Sequence, residues 1–169
     1  MTLGWNEIRD RATTFAREWA GETREMGEYQ GFWNEFFEVF GIRSRSVAIY
    51  QKKVDKLSGR RGAIDLFWPG NLLIEHKSRG EDLDAAFTQA TDYFAGLSEG
   101  ERPRYVIVSD YERIRLYDLE GEKGEMEQSE FALKDLPKKT RLFGFIAGYS
   151  TKKYKEEDPI NVKAVQAIG

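Results

Sequence analysis

The 169 residues carry 26 Lys and Arg against 29 Asp and Glu, for a net charge of −3, with a single histidine and no cysteine. Disulfides, cysteine-based zinc sites and thiol nucleophiles are thereby excluded, and one imidazole cannot build a histidine-rich metal centre. A chain this long suits one domain with a real core; with no long apolar run and no signal-peptide pattern, a soluble cytoplasmic domain without a membrane partner is expected.

Residues 4–20 place Trp5, Ile8, Ala12, Phe15, Ala16 and Trp19 at helical spacing, and Gly21 is a plausible stop. A second helix is expected from Tyr29 to Phe40, ending at Gly41, with Phe32, Trp33, Phe36, Phe37 and Phe40 inward and Glu35 and Glu38 outward. Ser46 to Gln51 alternates weakly, as an edge strand does. Residues 51–61 then hold Lys52, Lys53, Lys56, Arg60 and Arg61 against Asp55 alone, which fits a solvated loop or a phosphate-facing one. Two apolar strands follow, 62–68 and 72–78. Residues 82–97 form an amphipathic helix on Leu83, Ala86, Phe87, Ala90, Phe94 and Leu97. Strands are expected at 105–109 and 113–118, then a helix over 131–147 interrupted by Pro137, and a fresh apolar periodicity from Ile160 to Ile168. The fold class predicted is α/β (α+β), a mixed central sheet flanked by helices, in the order helix, β-hairpin, helix, strand.

The hairpin carries the chemistry. A three-residue loop Pro69-Gly70-Asn71, with Asn71 left-handed, pairs Trp68 with Leu72 and sets Asp65 opposite Glu75. Glu75 and Lys77 share a face and His76 points the other way. Opposed carboxylates among apolar neighbours repel unless a counter-charge lies between them, and a hard divalent cation with oxygen ligands supplies one. Asp65 and Glu75 are therefore candidate ligands for Mg²⁺, with Mn²⁺ as a substitute. Lys77 would orient a water or stabilise charge on a phosphate. Ser78 and Arg79 directly after it, and Arg60 and Arg61 before Asp65, are candidate phosphate contacts. The chemistry implied is that of a metal-dependent nuclease.

These motifs resemble the PD-(D/E)xK nuclease superfamily, with Ile64 standing where proline is typical. That resemblance makes DNA phosphodiesters the expected substrate, and implies a restriction-endonuclease-like core, an acidic residue on the preceding helix (Glu35, with Glu38 as fallback), and a metal contact from the main-chain carbonyl of His76. It also implies a supporting role for Gln89 and Tyr93 in Gln89-Ala-Thr-Asp-Tyr93. More narrowly, Phe32 to Gly41, Arg61 to Asp65, Glu75 to Asp84, Tyr105 to Asp110 and Asp158 to Ala164 resemble the N-terminal endonuclease domain of MmeI-like (Type IIL) restriction–modification enzymes. On that resemblance residues 1–158 are the nuclease domain and 159–169 begin a helical connector. A methyltransferase using S-adenosylmethionine and a target-recognition domain would lie beyond it, and two nuclease domains would meet on double-stranded DNA. Three alternatives stay open: the nuclease domain of a Type I restriction subunit or RecB-like enzyme, a silent nuclease fold that only binds, and an adaptor using the acidic stretch Asp118 to Glu130.

Overall fold

The computed structural model describes residues 2–22 and 25–149. Six strands, β1 (Ile49–Asp55), β2 (Arg61–Trp68), β3 (Leu72–His76), β4 (Tyr105–Ser109), β5 (Arg113–Asp118) and β6 (Glu127–Ala132), form one sheet in chain order. Every neighbouring pair is antiparallel except β3 and β4, which run parallel. Helix α4 (Leu83–Asp92) provides the crossover that a parallel pair requires. The expected mixed sheet flanked by helices is what forms.

Two layers cover the sheet. Helices α1 (Trp5–Glu18) and α2 (Glu25–Val39) pack on one face, where Phe32, Trp33 and Phe36 meet Leu66, Ile74 and Ile107. On the other face Leu83, Ala86 and Ala90 of α4 meet Phe67, Leu73, Val106 and Val108. Each such aromatic or aliphatic side chain contributes roughly 1.5–3 kcal/mol on burial. Strands β3 and β4 are buried along their whole length, which explains their almost unbroken apolar sequence. Glu75 and His76 are the polar exceptions in β3. Capping follows local chemistry: Asp82 Oδ1 accepts from the amides of Asp84 (2.9 Å) and Ala85 (3.3 Å) at the start of α4. Gly41, at φ +83°, closes the end of α2 where a Cβ would sit 2.9 Å from Leu3 Cγ.

Four sequence expectations are corrected. The edge strand expected at 46–51 starts later and runs to Asp55, after a short helical turn, α3 (Ser44–Val47), held by Ser44 Oγ donating to Asn34 Oδ1 at 2.5 Å. Half of the presumed basic loop is thus an edge strand, where lysines discourage pairing with another chain. In the hairpin loop Gly70, not Asn71, takes the left-handed conformation at φ +75°, because glycine adopts it without steric cost. The 82–97 helix ends at Asp92 and tightens into a 3-10 turn over Tyr93–Gly96. The helix expected at 131–147 is replaced: Phe131 and Ala132 close β6, and 3-10 turns at Leu133–Lys138 and Thr140–Phe143 lead into α5 (Gly144–Ala147). Pro137 cannot donate the bond that a longer α-helix needs. The expected connector at 159–169 lies outside the described residues. Among those described, no helix is long and apolar enough to cross a membrane.

Candidate active site

The splayed end of the β2–β3 hairpin gathers the candidate residues. Pairing runs Trp68↔Leu72, Phe67↔Leu73, Leu66↔Ile74 and stops there. The expected register is correct, but Asp65 and Glu75 are not a ladder pair. Where the strands part, Asp65 Oδ2 instead accepts from the main-chain amide of His76 at 2.8 Å. Meanwhile β3 continues toward β4, with the Lys77 amide donating to Ser109 O at 2.8 Å. A half-buried carboxylate therefore projects into the gap between two strands.

Glu75 is 3 % exposed, and an isolated buried carboxylate costs far more than one paired with a cation. Lys77 Nζ lies 3.5 Å from Glu75 Oε2 and donates to Gln89 Oε1 at 2.7 Å. Helix α4 thereby aims the ammonium at the site. Tyr93 is buried and donates to Ala63 O at 2.8 Å. Its phenol is pushed up to about 12 by burial first and by the charge of Glu75, with Asp65 adding and a Gln89 hydrogen bond opposing. Both carboxylates thus bear on one hydroxyl, which stays protonated at neutral pH. Gly62 makes this approach feasible, since a Cβ there would sit 2.8 Å from Tyr93 Cε1. Asp65, Glu75 and Lys77 are therefore brought together as the spacing suggests, with Gln89 and Tyr93, which the resemblance offered, beside them.

His76 faces the other layer, as expected. It is fully buried, and its Nδ1 accepts from Trp33 Nε1 at 3.0 Å. Tyr111 meets the ring edge-on with centroids 4.2 Å apart, and Tyr29 and Phe32 complete an aromatic cage. Burial pushes the imidazole down to about 3, against an upward pull from Asp110. The ring is neutral and turned from the carboxylates, so only the main-chain carbonyl of His76 is open to a ligand role.

Glu35 is not brought to the hairpin. It accepts from Trp19 Nε1 at 2.8 Å and lines an outer groove between α1 and α2 with Glu7, Glu18 and Glu38. Among the described residues no three His, Asp or Glu side chains converge in a metal-holding group, so neither Glu35 nor Glu38 completes a three-carboxylate site. The reason is rotational: the aromatic face of α2 turns to the sheet and carries these glutamates outward.

The candidate phosphate contacts are peripheral. Ser78 is half-buried beside Lys77, and Arg79 pairs with Glu112 at 3.2 Å. Arg60 and Arg61 are exposed where the turn enters β2, with Arg61 Nε 3.8 Å from Asp55 Oδ1. Lys56, in the same turn, stands 5.7 Å from the centre of the Tyr93 ring. The basic turn therefore borders the site.

Sequence reasoning missed Gln51, Tyr29 and Asp110. Gln51 Nε2 donates to Asp65 Oδ1 at 3.3 Å and to the Tyr29 hydroxyl at 2.5 Å. Buried Asp110 accepts from the amides of Gly80 and Arg113, both at 2.8 Å, and from the Arg113 guanidinium at 2.9 Å. Desolvation opposes ionisation of Asp110, yet these hydrogen bonds win and hold its carboxyl below the usual range. The segment after Lys77 is fixed through them. None of the three belongs to a spacing pattern, because Gln51 reaches Asp65 and Tyr29, and Asp110 reaches Gly80, across elements distant in sequence.

A family model described as the N-terminal domain of MmeI matches residues 10–169. The chain belongs to the MmeI N-terminal domain family. No curated protein matches it. One solved structure similar to this MmeI-family domain is the cryo-electron-microscopy DrdV–DNA complex, with a TM-score of 0.48 and 14 % identity. The match covers 87 % of this chain and 14 % of the DrdV chain, so the domain spans a small part of that protein's length.

Proposed function

We propose that this chain is the metal-dependent DNA endonuclease domain of a restriction–modification enzyme, hydrolysing phosphodiesters at the β2–β3 hairpin. One observation carries the reading: Asp65, buried Glu75, Lys77 and Gln89 converge around the Tyr93 hydroxyl where the hairpin splays. The donor set fits Mg²⁺, or Mn²⁺ in its place. Two carboxylates and the His76 carbonyl are hard oxygen donors, while the one imidazole is turned away. A bound cation would supply an acidified water and neutralise phosphate charge. Lys77, oriented by Gln89, stabilises negative charge that develops on the scissile phosphate. Tyr93 remains a neutral donor beside the carboxylates and holds β2 through Ala63 O. Ser78 and Arg79 lie next to Lys77 for phosphate contact, with Arg79 exchanging Glu112 for DNA. Family membership supports a place beside methyltransferase and target-recognition domains, with S-adenosylmethionine used there, and pairing of two nuclease domains for double-strand cleavage.

The test is nicking of supercoiled plasmid in Mg²⁺ or Mn²⁺ by the chain and its Asp65→Ala, Glu75→Ala and Lys77→Ala variants, with Mn²⁺ binding followed by calorimetry. Cleavage is expected to fall on the order of a hundredfold or more in each variant, and Mn²⁺ binding to vanish in Asp65→Ala. Metal uptake that survives both carboxylate substitutions would sink the reading.

A further inference from the structure

We infer that Gln51 is a positioning residue that holds the Asp65 carboxylate in its metal-binding orientation, an inference that rests on the nuclease reading above. Gln51 adopts φ +57° in the middle of an edge strand. That left-handed conformation is sterically unfavourable for any L side chain and is free for glycine. Strain of this kind persists where the surrounding structure fixes it and where a function uses it.

The consequence for the sheet is local and specific. Tyr50↔Leu66 and Lys52↔Ile64 flank the kink in constant register, so Gln51 stands opposite Asp65 without a ladder pair between them. Alternation requires Tyr50 and Val54 to share a face, and likewise Leu66 and Ile64. They do not: Tyr50 and Leu66 pack with the α1–α2 layer, whereas Val54 and Ile64 pack with the α4 layer. Both strands change faces at the Gln51–Asp65 position. That turn releases Asp65 from the pleat and sends its side chain into the gap beside β3.

Two neighbouring strands then grip the carboxylate from opposite sides. Gln51 Nε2 donates to Oδ1 at 3.3 Å, and the His76 amide donates to Oδ2 at 2.8 Å. The Gln51 amide is itself anchored by the Tyr29 hydroxyl at 2.5 Å, tying the arrangement to α2. Both donors are uncharged. They fix the direction of the carboxylate without cancelling the charge that attracts a cation, as Arg or Lys would. An oriented ligand loses less freedom on binding, which is how groups behind metal ligands raise affinity.

The test compares the chain with Gln51→Gly and Tyr29→Phe by Mn²⁺ calorimetry and thermal unfolding. Glycine keeps the backbone conformation and removes the side chain that reaches Asp65. Gln51→Gly is expected to bind Mn²⁺ on the order of tenfold more weakly, with Tm unchanged or raised, and Tyr29→Phe to lose affinity in the same direction by less. Unchanged Mn²⁺ affinity in Gln51→Gly, with Asp65→Ala still abolishing binding, overturns the inference and leaves the nuclease reading standing. A fall in Tm that accompanies weaker binding in Gln51→Gly also overturns it, since the side chain would then be structural. A folded, unmodified chain that takes up no Mn²⁺ overturns the nuclease reading and the inference with it.

Discussion

His76 shows how one side chain can couple the site to stability. Its imidazole titrates near 3 in the fold, against an ordinary 6.5. Between those values the unfolded chain binds a proton that the folded chain refuses, so falling pH favours unfolding. Above about pH 6.5 this term is absent, and below it stability drops by up to about 1.4 kcal/mol per pH unit. Urea unfolding at pH 5 is expected to give about 2 kcal/mol less stability than at pH 7.5 from this group, and His76→Gln, which still offers Trp33 an acceptor, should lack that difference. Identical pH dependence in the two proteins would show that the ring is not held neutral. At this scale Asp65, Glu75 and Lys77 were legible as candidates, because charge between apolar residues leaves a mark in the sequence, while Gln89 and Tyr93 entered through the family resemblance. Gln51 was not legible: nothing in Tyr50-Gln51-Lys52 announces a positive φ. Glu35 was misread because its place on the outward face of α2 does not say that this face turns toward α1 and Trp19 instead of the hairpin.

Elements succeed or fail on contacts as much as on propensity. The end of β1 rests on the 3-10 turn Tyr93–Gly96, with the Leu57 amide donating to Asp92 O at 3.0 Å. A Cβ at Gly96 would run into the Asp55 carbonyl and lie 3.0 Å from the Asp55 amide. Neither backbone can move without disturbing the sheet edge that carries Gln51. Gly96→Ala is therefore expected to destabilise the chain by about 3 kcal/mol and to weaken Mn²⁺ binding. Gly100→Ala, with open space around it, should stay within about 0.5 kcal/mol. Equal denaturant midpoints for the two variants would contradict the packing argument. The same dependence explains the missed β6. Glu127-Gln-Ser-Glu130 is wholly polar and shows no apolar alternation, yet Arg115 of β5 fixes Glu130 at 2.7 Å. Pairing with β5 satisfies backbone groups that an isolated polar segment would leave to water.

For the whole molecule, charge decides how DNA would be met on the nuclease reading. With a net charge of −3, attraction to phosphate must come from a local patch, and the turn bearing Lys56, Arg60 and Arg61 beside the site is the one available there. The Arg61–Asp55 pair is exposed and long at 3.8 Å, too weak to hold Arg61 from a phosphate. Non-specific duplex binding is expected to be weak, and Arg60→Ala with Arg61→Ala should lower the slope of log K against log salt by about 2. A slope unchanged by both substitutions would place the DNA on another face.

By itself the sequence determined the layer order, the central apolar strands, the hairpin register and the charged groups on it. Those are consequences of periodicity and of the cost of burying charge, and both are local. Tertiary structure decided where the ladder opens, that the outward face of α2 meets α1 and not the hairpin, and that Gln51, held by Tyr29, reaches Asp65. Those depend on packing between elements far apart in the chain, where a rotation of one helix or a single left-handed residue moves a side chain from solvent into the site.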